Sequence, residues 1–146
     1  MKSATAVVSE FQRWNGLATT LGTRVPDFDG QSIPRRYRRS MSRVAQLAVS
    51  SVQDALTEAG LDEAAIGTER TGVAFGSTMG GTSAIEHYYR GLVTTGSLSQ
   101  GVYSTTFLQI MSHTCAANVA LTFGIPGRVL APCTACAAST QAIGFA

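Results

Sequence analysis

Two cysteines, Cys133 and Cys136, stand where the apolar run Val129 to Pro132 gives way to the small residues Ala137, Ala138, Ser139 and Thr140. That order predicts a short buried strand turning into a helix. A thiol is nucleophilic only as its thiolate, and the backbone N–H groups and positive dipole end of a helix N-terminus help it ionise. The same N–H groups help hold the oxyanion of an attacked thioester carbonyl, which is the logic of a nucleophile elbow. Cys136 is therefore a candidate acyl-accepting thiol, and Ala135, Ala137 and Ala138 are small enough to let a substrate approach. Two other readings stay open on the residues alone. A cysteine among alanines is often a small buried hydrophobe. The Cys133-x-x-Cys136 spacing is also that of a thioredoxin-like redox pair, here without a preceding Trp or an intervening Pro.

Other chemistry-bearing residues are fewer. One cysteine pair needs two further ligands to make a structural zinc site, and His87 and His113 fall in other predicted helices without ligand spacing. They read as structural or surface histidines. The turn Gly76-Ser77-Thr78-Met79-Gly80-Gly81 has neither the Walker lysine nor dinucleotide spacing. Its glycines are expected to let backbone and substrate come close, with Met79 either lining an apolar pocket or filling core. No metal and no cofactor are expected.

The elements that must position these residues follow from periodicity. Val44, Leu47, Ala48, Val52, Ala55, Leu56 and Ala59 recur at helical spacing and predict a helix from about 40 to 59, ended by Gly60. Residues 71–76 read as a buried strand entering the glycine-rich turn. A helix should start near Ser83, carry Ile85, Tyr88, Tyr89 and Leu92, and stop before Gly96. A second long helix is predicted from 108 to 123, with Ile110, Met111, Cys115, Val119 and Leu121 inside and Gly124 and Pro126 closing it. Helix resumes through 141–146. Residues 1–32 are expected to be irregular, because Gly16, Gly22, Pro26 and Gly30 interrupt every short apolar run.

At 146 residues and 45% hydrophobic content the chain is sized for one α/β domain with a sizeable core. Its formal charge is only +2, yet Arg35, Arg36, Arg38, Arg39 and Arg43 make up five of its eleven basic residues. That local patch lacks interleaved aromatics beyond Tyr37, which argues against nucleic acid and for a smaller acidic partner. The apolar run Ala4 to Val8 after Lys2 is cut short by Glu10 and Arg13, so no secretory leader is expected. No stretch approaches the roughly 20 apolar residues of a membrane span, and an odd set of three cysteines gives no disulfide framework. Cytoplasm is the default compartment. Ala146 ends the last helix in mid-pattern, without cap or glycine, which reads as truncation.

Taken together, Thr134-Ala135-Cys136-Ala137 and Gln141-Ala142-Ile143-Gly144 resemble the nucleophile motif of β-ketoacyl synthases. Ile33-Pro34-Arg35-Arg36 with Arg39 and Met41 resembles the stretch before that family's first long helix. Thr71-Gly72-Val73 to Gly81 resembles its strand and glycine turn, and Gly124-Ile125-Pro126-Gly127 its turn before the nucleophile strand. The resemblance covers nearly all of residues 10–146 and is strongest to the elongating, carrier-protein-dependent synthases.

It implies a thiolase-like layered α-β-α-β-α fold of which only part of the N-terminal half is present, the usual first strand and the C-terminal half being missing. It implies that Cys136 accepts an acyl chain from acyl carrier protein, and that two histidines assist decarboxylation of malonyl-carrier protein and condensation. The product would be a 3-oxoacyl chain in fatty-acid, polyketide or polyene biosynthesis. Those histidines and the second oxyanion N–H would lie beyond Ala146, since His87 and His113 do not match them. By the same resemblance Met79 sits at the end of the acyl pocket, and Arg36 and Arg39 in the basic surface where the carrier protein docks. A homodimer, or a heterodimer with a related synthase subunit, is implied, with the helix of residues 108–123 near its interface. Arg128, where proline is common, and Cys133 depart from the family pattern.

Overall fold

The computed structural model describes residues 8–23, 25, 28–97 and 103–146. Lys2, Ala4 and Pro26, which entered the reading of the N-terminal segment, lie outside the described residues. The chain is mixed α/β and its centre is a helix pair. Helix α2 (Arg43–Ala59), which follows the single turn α1 (Arg35–Arg38), packs on α6 (Thr114–Phe123). Ala45, Cys115 and Ala116 are fully buried, so the small residues of these helices let the two axes come close. Ile33, Met41, Ala48, Val49 and Val119 complete this core.

The α2 pattern is rotated slightly from expectation. Ala45, Ala48 and Val49 form the buried stripe, whereas Ala55 and Ala59 are exposed. The helix runs to Gly60 as its sequence predicts; Gly60 takes φ 66° and its N–H caps the carbonyls of Leu56 and Thr57. A short turn, α3 (Glu63–Ile66), is capped by Asp62, whose carboxylate accepts from the Ala65 N–H at 2.9 Å.

Strands β3 (Val73–Ala74) and β4 (Val129–Leu130) pair in parallel, Val73 opposite Val129 and Ala74 opposite Leu130. Hydrogen bonds extend the pairing beyond these residues: Val73 N–H to the Arg128 carbonyl, Phe75 to Leu130 and Ser77 to Pro132 at 2.8, 3.0 and 3.2 Å. Helix α6 and helix α7 (Ala138–Phe145) both pack on this strand pair. The crossover from β3 to β4 carries α4 (Thr82–Thr95), α5 (Ser104–Ile110) and α6. Helix α4 starts and stops where the sequence places it, with Gly96 as C-cap.

Several expectations are corrected. Strands β3 and β4, expected to be buried, are only half-buried, with Val129 43% exposed. The segment expected to be irregular contains an antiparallel hairpin, β1 (Val8–Glu10) with β2 (Leu21–Thr23), registered Ser9 to Gly22. Gly22 there is no interruption: it leaves the space in which Trp14 lies, stacked on Phe11 at 4.5 Å. The helix expected over 108–123 is two helices. Met111 is extended at ψ 129°, and the Thr114 hydroxyl donates to the carbonyls of Leu108 and Met111 at 2.8 and 2.7 Å. Leu121, expected inside, is 67% exposed. Helix α7 also begins earlier than expected, at Ala138, with Ile143 on its exposed side.

Among the described residues no helix is long and apolar enough to cross a membrane.

Candidate active site

The β4 strand leads directly into the cysteine turn. After Pro132 the chain makes a 3-10 turn, Ala135–Ala137, which feeds α7. Ala135 takes φ 45°, the only positive φ outside glycine among the described residues. For an L-residue this conformation costs about 1–2 kcal/mol, and side chains around it hold it. The Thr78 hydroxyl donates to the Ala135 carbonyl at 2.8 Å, and the Thr134 hydroxyl donates to Gln141 Oε1 at 2.6 Å. The Ala137 N–H bonds the Thr134 carbonyl at 2.9 Å.

Strain concentrated next to a candidate nucleophile is the pattern of a turn built to aim one side chain. The side chain that follows the strained residue is the thiol of Cys136. It is exposed and free, and it makes no hydrogen bond among the described residues. The reading of Cys136 as a buried structural cysteine is thereby corrected. Its backbone stands on the turn that opens α7, outside the core.

The other two cysteines differ from it. Cys115 is the buried one, at 0% exposure between α2 and the strands, and burial pushes its thiol above the ordinary value while a hydrogen bond with Ser77 offsets part of that rise. Cys133 is exposed but engaged: its Sγ donates to the Thr78 carbonyl at 3.4 Å and accepts from the Ser112 hydroxyl at 3.7 Å. Thr78 thus bonds both sides of the cysteine turn.

The glycine-rich turn is clamped between two backbones. A Cβ on Gly76 would collide with the backbone of Ala138 and Ser139 at the start of α7. A Cβ on Gly80 would collide with the Gln109 and Ile110 carbonyls at the end of α5, where the Gly81 N–H already bonds Gln109 O at 2.6 Å. The close approach that its glycines predict is therefore to protein backbone on both sides, which ties the α5–α6 break to the cysteine turn. Met79, between these anchors, is 52% exposed and lines a cleft of about 410 Å³ together with the N-terminal turns of α2 and α4.

The arginines divide into two groups. Arg38 donates to the Gly30 carbonyl and Gln31 Oε1, and Arg43 to the Phe28 and Val25 carbonyls while lying over the Phe28 ring. These two hold the loop before α1. Arg36 stacks on Tyr37 at 4.6 Å, and the guanidinium groups of Arg35 and Arg39 have no partner among the described residues. Arg35, Arg36 and Arg39 are exposed around α1 and form no ion pair among the described residues.

His87, on α4, and His113, before α6, are exposed and stand on different elements from Cys136. Among the described residues no group of three His, Cys, Asp or Glu side chains could hold a metal ion. The residues that sequence reasoning missed are Thr78 and Ser112. Their hydroxyls reach the cysteine turn across 57 and 21 residues of chain, a contact no local pattern announces.

Residues 9–146 match the family model described as the β-ketoacyl synthase N-terminal domain. Nodulation protein E of Rhizobium sp. (strain N33) is 31% identical over 136 residues, covering 90% of this chain and 32% of its own length. The ketoacyl synthase alpha subunit of the tetracenomycin polyketide synthase of Streptomyces glaucescens is 30% identical over 125 residues, covering 82% of this chain and 29% of its own. The crystal structure of a β-ketoacyl synthase from Burkholderia phymatum STM815 superposes with a TM-score of 0.83 at 35% identity, over 97% of this chain and 35% of that one. The chain therefore spans about a third of the length of the relatives it matches.

Proposed function

This chain belongs to the β-ketoacyl synthase family, and on that premise we propose that the protein carrying it is a β-ketoacyl-acyl carrier protein synthase whose nucleophile is Cys136. The observation that carries the assignment is the exposed, unengaged thiol of Cys136 on a strained turn between β4 and α7.

The chemistry runs in two transfers. The Cys136 thiolate attacks the carbonyl carbon of an acyl thioester delivered by acyl carrier protein. A carbon–sulfur bond forms, and the tetrahedral oxyanion is held by a backbone N–H of the cysteine turn together with a second N–H supplied outside residues 1–146. Collapse expels the carrier's thiolate and leaves the acyl chain on Cys136. A malonyl-carrier thioester then loses carbon dioxide, and the resulting carbanion attacks the acyl carbonyl. This forms the carbon–carbon bond and returns the electron pair to the Cys136 sulfur, releasing a 3-oxoacyl-carrier product. The decarboxylating step needs histidines of the kind the family uses. His87 and His113 stand on other elements, so we assign that step to residues outside residues 1–146, which form a partial N-terminal synthase domain.

The remaining assignments follow the same reading. Exposed Arg36 and Arg39 offer unpaired positive charge to an acidic carrier protein, Arg35 adding to it. Met79 lines the cleft that receives the acyl chain. Tyr103, Phe107 and Leu121 leave an apolar surface on α5, α6 and their approach for a homodimer or a related synthase subunit to cover. The tetracenomycin relative is named as a polyketide synthase subunit, which supports a polyketide acyl chain over bulk fatty-acid synthesis. The compartment is the cytoplasm.

A second reading has one observation in its favour, the absence of a catalytic histidine beside Cys136 among the described residues. On it the 146-residue chain alone binds carrier protein or a partner subunit and condenses nothing. One assay tests both. Full-length synthase supplied with acyl- and malonyl-carrier proteins should release carbon dioxide and a 3-oxoacyl product, while the 146-residue chain should release neither. Lack of product from the full-length protein would overturn the synthase assignment.

A further inference from the structure

Acyl transfer uses Cys136 and leaves Cys133 without a role. Both thiols are exposed and free, and they stand at the two ends of one tight turn. If the chain between them were fully extended, their Cα atoms would be about 10 Å apart. It is not extended: Thr134 has ψ 53° and Ala135 φ 45°, and the Ala137 N–H closes the turn on the Thr134 carbonyl at 2.9 Å. A disulfide needs Cα atoms about 4.4–6.8 Å apart, and a C-x-x-C turn where a strand meets a helix is a setting in which dithiol proteins form one.

Cys133 is held at this turn by distant residues. Its Sγ donates to the Thr78 carbonyl at 3.4 Å, and the Ser112 hydroxyl donates to that sulfur at 3.7 Å. A hydroxyl donating to sulfur favours the thiolate, the form that attacks an oxidised sulfur. Thr78 also holds the Ala135 carbonyl, so one residue engages the Cys133 thiol and the backbone immediately before Cys136. The third cysteine, Cys115, is fully buried and shielded from a soluble oxidant.

Resting on the reading of Cys136 as the acyl-accepting thiol, we propose that Cys133 is its resolving cysteine: when a hydroperoxide oxidises Cys136, Cys133 captures it as an intrachain disulfide that a dithiol reverses. The Cys136 sulfur attacks the outer oxygen of the hydroperoxide and the O–O bond breaks. A sulfenic acid forms, and the departing oxygen takes up the Cys136 proton to leave as water or an alcohol. The Cys133 sulfur then attacks the Cys136 sulfur. The S–S bond forms, the S–O bond breaks, and the hydroxide leaves as water with the Cys133 proton. The two thiols together lose two electrons, and the hydroperoxide gains them. The nucleophile is thereby closed off reversibly before it is oxidised further to the irreversible sulfinic acid.

The test treats full-length synthase with hydrogen peroxide, removes the peroxide with catalase, alkylates with iodoacetamide and maps tryptic peptides without reduction. Cleavage after Arg128 leaves Cys133 and Cys136 on one peptide, so the bridge is read as a peptide lighter by two hydrogens that takes no alkyl group. Wild-type protein should give that peptide, and dithiothreitol should restore both alkylation sites and acylation from a labelled acyl-carrier protein. Cys133→Ser, acylated normally before peroxide, should instead gain two or three oxygens on Cys136 and regain no acylation with dithiothreitol. Absence of the bridged peptide from peroxide-treated wild type overturns the proposal, whether or not the variant folds. So does full recovery of acylation by Cys133→Ser. Either result leaves the acyl-transfer reading standing, whereas wild-type protein that takes no acyl group before peroxide overturns that reading, and the bridged peptide then shows only a redox pair.

Discussion

The hydroxyl of Thr78 donates to the carbonyl of Ala135 at 2.8 Å, so the glycine-rich turn after β3 holds the left-handed residue immediately before Cys136. This bond makes Thr78 a positioning residue for the thiol. Thr78→Val keeps the side chain's shape and removes the bond. It should lower stability by only about 1 kcal/mol, while slowing acylation of Cys136 in the full-length protein far more than that loss of folded protein explains. Equal losses in stability and acylation would reduce Thr78 to a structural role.

The three cysteines should be separable by their chemistry. Iodoacetamide should modify the exposed Cys136 and Cys133 in native protein, Cys136 first because Cys133 is engaged by Thr78 and Ser112. Cys115, fully buried, should react only after denaturation. Peptide mapping after timed quenching reads this directly, and early labelling of Cys115 would contradict the packing of α2 on α6.

Cys115 also predicts a pH dependence. Its thiol is raised above the ordinary value of 9.0, chiefly by burial. The folded chain therefore holds it neutral where the unfolded chain already ionises. Its contribution to stability is complete below the unfolded value and is lost as pH rises through the folded one. Urea midpoints should fall across the alkaline range above about 9, and Cys115→Ala should flatten that fall. An identical slope in the variant would remove Cys115 as its cause.

Two glycines give opposite expectations. Gly76→Ala drives a methyl into the backbone of Ala138 and should cost about 1–3 kcal/mol, with displacement of the cysteine turn. Gly144, on α7, has nothing within 4 Å of the point where a Cβ would stand, so Ala there should be tolerated and gain about 0.5–1 kcal/mol. Thermal melts of the two variants, compared with wild type, read both.

How much of this was legible in the sequence depended on the range of the contacts. The cysteine turn was readable because a strand, small residues and a helix follow one another locally from Val129 to Phe145. The capped ends of α2 and α4 were readable for the same reason, each helix running into a glycine at Gly60 and Gly96. The break between α5 and α6 was not. The apolar positions from Leu108 to Leu121 continue at helical spacing without Gly or Pro, and it is the distant Gly81 N–H on Gln109, with the Thr114 hydroxyl, that accompanies the break. The hairpin of β1 and β2 was missed because each strand is three residues long, too short to show alternation. The division of the arginines was equally hidden, since Arg38 and Arg43 are spent on loop carbonyls that composition cannot identify.

That division predicts different phenotypes within one basic cluster. Reversing Arg36 and Arg39 to Glu should weaken binding of an acidic carrier protein roughly tenfold at low salt, less at high salt, with stability unchanged. Arg38→Glu should instead loosen the segment around Gly30 and lower the melting temperature. Titration calorimetry at two ionic strengths, beside thermal melts, distinguishes them, and a uniform effect of all three substitutions would contradict the grouping.

Whether Cys136 carries the acyl chain is read most simply from the mass of full-length protein after incubation with a labelled acyl-carrier protein. One acyl group per chain is expected, mapped to the peptide containing Cys136, released by hydroxylamine and abolished by Cys136→Ser while Cys133→Ser retains it. Persistent acylation of Cys136→Ser, or a label mapped to Cys133, would show that the acyl chain is held elsewhere.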